Sequence, residues 1–380
     1  MRSDSGAQGP AARPEILFCH LGDDRSGSPR MLVQSLRALA DRWPRRRLFA
    51  ASRPVDGFLA ASGLPVQRYA FRGNWRHPWL ALSFLWGQAS LFLQLAAARP
   101  ERHAIVYVNT LLPAGAAAFG ALTRRPVLFH SHELPSSRLE HLLFRFTLAC
   151  SSLVVCVSQA HAQRLPVPPG ARAKLRVVPN ALDPVLARTA FAAAKQHRSD
   201  GIFHVLFATS YLLPHKGIAE FVRLAHALAH RTDIRLHLSC PAQDRGILPA
   251  EMPANVSLWL GGGDLERLYA LAGLALNLSR PDLVAETFGL TVAEAMAFGT
   301  PVVVPPVGGP AEQVRDGVEG YTIDSRQTES LAAAVQKIAD DPDLWGALSR
   351  NARVRARAYS FEAYRERLVA VADELLPPAA

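Results

Sequence analysis

Short apolar runs alternate with amphipathic stretches along most of this chain, and the alternation breaks once and then restarts. In the first half the runs are "ILFCHL" (16–21), "RLFAAS" (47–52), "AIVYVNT" (104–110), "PVLFHSH" (126–132) and "LVVCVS" (153–158). Short continuous apolar runs of this kind fit parallel strands covered on both faces. Segments such as "SPRMLVQSLRALADR" and "RLEHLLFRFTLAC" lie between them as helical crossovers. "LRVVPNALDP" (175–184) reads as a last strand and exit turn, and "ARTAFAAAKQHRSDG" (187–201) then carries no strand signal, so a domain junction is expected there. The pattern resumes with "IFHVLFATS" (202–210), "IRLHLSC", "VSLWLG", "LALNLS" and "PVVVPP" as strands. Between the first two, "KGIAEFVRLAHALAH" sets Ile218, Phe221, Val222 and Ala225 on one helical stripe. The expected fold class is α/β: two Rossmann-like doubly wound domains facing a central cleft. Ligands of open α/β sheets sit beyond the carboxyl ends of the strands, so that cleft is the expected site. The expected boundaries are 1–186 for the first domain, with 1–14 disordered, 187–358 for the second, and 359–380 for a terminal helix.

A chain of 380 residues accommodates two such domains, and 49% hydrophobic with 19% charged residues excludes global disorder. The net charge of +10 suits nucleic acid, an anionic membrane face or anionic small substrates. No RNA-binding signature and no helix-turn-helix pattern is present, so nucleic acid is not an expected partner. Cys19, Cys150, Cys156 and Cys240 form no CxxC pair and no metal-ligand spacing, which points to buried thiols in a reducing compartment. The first 15 residues hold no apolar core of a secretory signal, so a cytoplasmic location is expected. "HPWLALSFLWGQASLFLQLAAARP" (77–100) approaches the length of a bilayer span. It contains Ser83, Gln88, Ser90 and Gln94, with Arg72, Arg76, Arg99 and Arg102 around it. The favoured reading is a helix of a folded domain. One face would be offered to the cytoplasmic side of a membrane, helped by Trp75, Trp79 and Trp86.

The segment "PDLVAETFGLTVAEAMAFGTPVVV" (281–304) concentrates the chemistry. Glu286 and Glu294 bracket seven uncharged residues, and a helix is expected from about Leu290 to Phe298, closed by Gly299. The backbone N–H groups of Gly289, Leu290 and Thr291 would then stand at a helix N-terminus, which suits a phosphate. Eight residues of helix rise about 12 Å, which suits a ligand with hydroxyl-rich groups at both ends and phosphate between them. A nucleotide-sugar is such a ligand. The bland alternative is a surface helix with two solvated carboxylates. "DDPDLW" (340–345) is better read as Asp341 capping a helix that starts at Pro342 than as a metal-binding triplet. No metal site and no cofactor is expected, and a zinc reading of His130 and His132 lacks a third ligand.

The Glu, seven residues, Glu pattern resembles that of the retaining family 4 glycosyltransferases, which have the two-domain GT-B fold. The continuation "AMAFGTPVVVPPVGGPAEQVRDGVEGY" resembles that family too, through Gly308, Gly309, Glu312 and Gly317, and the match is continuous from about 277 to 324. "LLPHKG" resembles its phosphate-binding lysine loop, "DDRSGSPRMLVQSL" its glycine loop and "HSHELPSS" its strand-end histidine. Ser158, Asn180 and Asp183 match its interdomain segments. The resemblance implies catalytic roles for His132, Glu286 and Lys216. It implies a donor site of Gly27, Lys216, Phe288, Gly289, Leu290, Thr291 and Glu294. The donor would be a nucleotide-diphosphate sugar, and the acceptor a glycan or lipid-linked glycan of cell-surface polysaccharide synthesis. The terminal helix would cross back onto the N-terminal domain. The sequence departs from the family at Ser210 and Tyr211, where Gly-Arg is usual, so one phosphate cation is missing; Arg280 is a candidate substitute. A nucleotide-sugar epimerase of the same fold and a non-catalytic sugar-nucleotide binder are the alternatives.

Overall fold

The computed structural model describes residues 13–23, 27–51, 57–71, 80–261 and 263–376. It divides into two compact units. One gathers the described residues within Met1–Val155, Pro166–Arg176 and Arg365–Ala380; the other gathers those within Cys156–Leu165 and Val177–Tyr364.

The first unit runs β1 (Ile16–His20), α1 (Gly27–Ala38), β2 (Arg46–Ala51), β3 (Val66–Tyr69), α2 (Leu80–Ala97), β4 (Ile105–Asn109), α3 (Ala114–Leu122), β5 (Val127–Ser131), α4 (Arg138–Cys150) and β6 (Leu153–Cys156). After α5 (Gln159–Arg164), which belongs to the second unit, β7 (Leu175–Val177) completes a seven-stranded sheet of order β3-β2-β1-β4-β5-β6-β7. β1 is parallel to both β2 and β4, and β4 to β5. Every residue of β1, β4 and β5 is buried, as continuous apolar runs require of strands covered on both faces.

The second unit continues with α6 (Pro184–Ala192), β8 (Phe203–Ala208), α7 (Ile218–Ala227), β9 (Ile234–Cys240), β10 (Val256–Leu260), α8 (Leu265–Leu271), β11 (Leu274–Leu276), α9 (Leu290–Ala297), β12 (Val302–Val304), α10 (Gly309–Gln313), β13 (Gly320–Thr322), α11 (Thr328–Asp340) and α12 (Pro342–Ala356). Its six-stranded sheet, order β10-β9-β8-β11-β12-β13, is parallel throughout. Alternate residues of β8 feed two cores. Phe203, Val205 and Phe207 pack with α7 and α11, and Leu206 packs with α8 and α9. Asp341 accepts a hydrogen bond from Leu344 N at 2.9 Å and Pro342 opens α12, as the capping reading expects.

The expected domain boundaries change. The 186/187 boundary falls inside α6, because Asp183 caps that helix and Leu186 and Ala190 are buried in the second unit's core. Cys156–Leu165 also go with the second unit, and the final helix α13 (Phe361–Asp373) contributes to the first from Arg365 onward. Residues 1–12 of the stretch expected to be disordered lie outside the described residues; Arg13 is paired with Asp373 at 2.7 Å. Among the described residues no helix is long and apolar enough to cross a membrane. Arg72, Trp75, Arg76 and Trp79 of the membrane-contact reading lie outside the described residues. Cys19, Cys156 and Cys240 are buried and unbridged, and Cys150 is half-buried.

Candidate active site

Strand β11 delivers Asn277 and Ser279 to the rim of the second sheet, and the loop that follows turns Glu286 back onto them. Ser279 Oγ donates to Glu286 Oε2 at 2.5 Å and Asn277 Nδ2 donates to the same oxygen at 3.1 Å. Lys216 Nζ lies 3.4 Å from that oxygen. Burial pushes the Glu286 carboxyl up, but the lysine charge and the two donors outweigh it and hold it below the usual carboxylate range. The same pairing, with Tyr211, holds the Lys216 ammonium above its ordinary value against the opposing effect of burial. Lys216 ends a short turn before Gly217, and its ammonium sits 5.2 Å from the centre of the Tyr211 ring. Gly217 has φ +84°, and a Cβ there would lie 2.1 Å from the Leu278 carbonyl, so only glycine lets the lysine loop meet the end of β11.

Helix α9 starts immediately after this loop. Gly289, at φ +88°, is its N-cap, and Leu290 and Thr291 form its first turn. The loop is held from behind by the Gly308-Gly309 turn. Gly309 N donates to Glu286 O at 2.8 Å, and a Cβ on Gly309 would lie 2.3 Å from the Thr287 carbonyl. Gln313 of α10 donates to the Phe288 carbonyl at 2.7 Å, while the Phe288 ring faces the core, edge-on to Tyr359. Glu312 accepts from Gln159 N at 2.9 Å and from Ala160 N, and Ser158 caps α5 while donating to the Thr287 carbonyl at 2.7 Å. Glu294 is 2% exposed and accepts a 2.9 Å hydrogen bond from Tyr269, whose ring stacks on Phe298. Neither glutamate is a solvated surface group.

The first unit carries a second polar cluster at the carboxyl ends of β1, β4 and β5. Asn109 Oδ1 faces His132 Nε2 at 2.9 Å, and Asn109 Nδ2 donates to the Ser28 carbonyl at 3.2 Å. A carbonyl only accepts, so the amide orientation is fixed, and His132 Nε2 carries the proton. His20 Nδ1 lies 3.1 Å from Asn109 Nδ2. The His130 ring lies beside that of His132, tilted by 37° with ring centres 4.1 Å apart, and shares a 2.5 Å hydrogen bond with Tyr107. Burial pushes the Glu133 carboxyl up to about 7, although Leu111 N donates to it at 3.2 Å. Gly27 is the first residue of α1 and opens onto free space.

The profile described as Glycosyltransferase Family 4 matches residues 25–186, and that described as Glycosyl transferases group 1 matches residues 192–355. The chain belongs to glycosyltransferase family 4, with the GT-B fold. The D-inositol 3-phosphate glycosyltransferase of Thermobispora bispora is 40% identical over 185 residues, 45% of this chain and 43% of that protein. The sucrose synthase of Beta vulgaris is 40% identical over 91 residues, 23% of this chain and 12% of that protein. These matches therefore span less than half the length of either relative. Among solved structures, Anabaena HepE in complex with UDP and glucose superposes with a TM-score of 0.71 at 20% identity, covering 95% of this chain and 100% of that one.

In family terms, the lysine-loop residue and the first glutamate meet, and Gly289, Leu290, Thr291 and Glu294 follow on the helix beside them. Phe288 enters only through its backbone. Arg280, the candidate substitute for the missing family arginine, is held by two carboxylates. Its guanidinium is committed to Asp282 at 2.6 Å and to Glu220 at 2.8 Å. Sequence reading missed Asn277, Ser279, Tyr269 and Asn109. The "NLS" at the end of β11 was the available signal for the first two; Tyr269 and Asn109 offered none.

Proposed function

We propose that this family 4 glycosyltransferase moves a sugar from a nucleotide-diphosphate sugar to a hydroxyl of a growing glycan with retention of configuration, so that an α donor gives an α linkage. One observation carries the reading: Glu286, Lys216 and the N-terminus of α9 converge at the end of β11. A leaving diphosphate develops charge as the glycosidic bond breaks. Lys216 and the amides of Gly289, Leu290 and Thr291 supply positive potential for it without a metal ion or other cofactor. Glu286, ionised and aimed by Asn277 and Ser279, accepts hydrogen bonds from sugar hydroxyls, and Glu294 accepts them from a ribose. His132 is the hydrogen-bonding partner of the sugar by family motif alone. The acceptor is a lipid-linked glycan of cell-surface polysaccharide, handled at the cytoplasmic face of a membrane; the basic, tryptophan-rich first half supports this.

The test is a thermal-shift panel with UDP, GDP, ADP and CMP on the wild type and on Glu294→Gln. HepE in complex with UDP-glucose makes UDP the first nucleotide to try. Glutamine keeps an acceptor for Tyr269 and removes the charge, so the variant should fold. A ligand that binds only the folded state raises Tm by mass action. A shift with one nucleotide, reduced in the variant, identifies the donor base. No shift with any of the four overturns the donor site.

A further inference from the structure

Helices α2, α3 and α4 form one layer on the first sheet. The crossovers β3 to β4, β4 to β5 and β5 to β6 all step the same way across the strand order, which puts their helices on one face. α3 packs against α2 on one side and α4 on the other. It packs closely against α2, where Gln88 accepts from Gly115 N at 2.8 Å and a Cβ on Gly115 would collide with the Gln88 carbonyl, and all of it except Ala118, Ala121 and Leu122 is buried. α2 and α4 therefore form the outer ridges of this layer.

Their outward faces are not those of ordinary surface helices. On α2, Leu82, Leu85, Trp86 and Leu93 are 57–63% exposed. Among the described side chains of that helix, the other exposed positions are alanines at 81, 89, 96 and 97, so every exposed one is apolar. Such a face is expected of a helix with neighbours all round. On α4, Leu139, Leu142 and Phe146 are 61%, 64% and 43% exposed, at one-turn spacing. Arg138, His141 and Arg145 alternate with them. The only acid on the three helices, Glu140, is spent in the capping box with Ser137 and the hydrogen bond from Ser136.

We infer that the α2–α4 face is a docking surface for an anionic lipid bilayer, with the leucines, Trp86 and Phe146 entering the acyl boundary and Arg138 and Arg145 meeting lipid phosphates. Charge selects this occupant. A second copy docking through the same face would set arginine ridges against each other with no acid to meet them, whereas an anionic leaflet complements them. This deepens the membrane part of the proposed function and rests on it alone; vesicle binding is read without any donor, so its outcome is separate from that of the nucleotide panel.

The experiment is co-sedimentation of the full chain with phosphatidylcholine vesicles, with and without about 30 mol% phosphatidylglycerol. The expected result is binding to the anionic vesicles only, weakened by salt. It should drop at least about tenfold in Trp86→Glu and in Leu142→Glu/Phe146→Glu. These positions are exposed, so the variants should fold, and an unchanged far-ultraviolet spectrum and Tm verify that they do. Equal binding by folded variants, or no binding by the wild type, overturns the proposal. A dimer in solution that the same variants dissociate, without vesicle binding, overturns it in favour of self-association.

Discussion

Glu286 is a carboxylate held in place before any ligand arrives. Its Oε2 is shared by Ser279, Asn277 and Lys216, so the group is both oriented and kept ionised. Glu286→Ala removes a sugar acceptor but leaves Lys216 and the α9 N-terminus available to phosphate. Turnover should fall by about a hundredfold or more, while nucleotide affinity, measured by titration calorimetry, is kept or tightened. Turnover near the wild type would remove Glu286 from the reaction. The pH dependence has a defined sign. A carboxyl whose folded pKa is depressed contributes stability above its unfolded value, and that contribution is lost as pH falls through the folded one. Glu286, Glu294 and Lys216 were legible in the chain because their spacing and flanking glycines belong to single segments. Tyr269 was not: it meets Glu294 from 25 residues away, on another helix, and a buried tyrosine has no sequence mark to separate it from core.

At the scale of elements, three neighbouring strands of the second sheet carry a chain of ring nitrogens. Trp259 of β10 donates to His237 Nδ1 on β9 at 3.0 Å, and His237 Nε2 lies 2.8 Å from His204 Nδ1 on β8. Indole only donates, so His237 Nδ1 must accept, its Nε2 carries the proton, and His204 Nδ1 accepts in turn. Both rings are therefore neutral in the native sheet. Burial, with His204 and Arg235 adding to it, pushes His237 down to about 4. A histidine depressed in the folded state destabilises the protein as pH falls from its unfolded value near 6.5 towards 4, because the unfolded chain binds the proton first. The expected loss is on the order of 3 kcal/mol, read as a lower urea midpoint at pH 4.5 than at pH 7. His237→Gln should flatten that slope. The strands themselves were largely readable, with two exceptions: β3 (VQRY) and β13 (GYT) escaped because both are short edge strands that are not wholly buried, so neither needs a continuous apolar run.

At the scale of the molecule, the chain's last helix returns to its first unit. Asp373 pairs with Arg13 at 2.7 Å and Arg42 at 2.8 Å, Glu374 pairs with Arg176 at 2.6 Å, and Leu368 is fully buried. The exposed pairs are worth little, so the buried leucine should carry the attachment. Leu368→Ala should cost about 3 kcal/mol, measured by denaturant unfolding; a loss within that of a surface substitution would mean that the helix does not contribute to this core. By itself the sequence determined the α/β class, the two sheets, the lysine loop and the glutamate-bracketed helix start, because each is written in local periodicity, glycine placement and short motifs. Tertiary structure alone decided which segments belong to which unit, that Arg280 is spent on Glu220 and Asp282, and that the α2–α4 face lies uncovered. Those outcomes depend on which distant side chains reach one another first, and a linear pattern does not encode that competition.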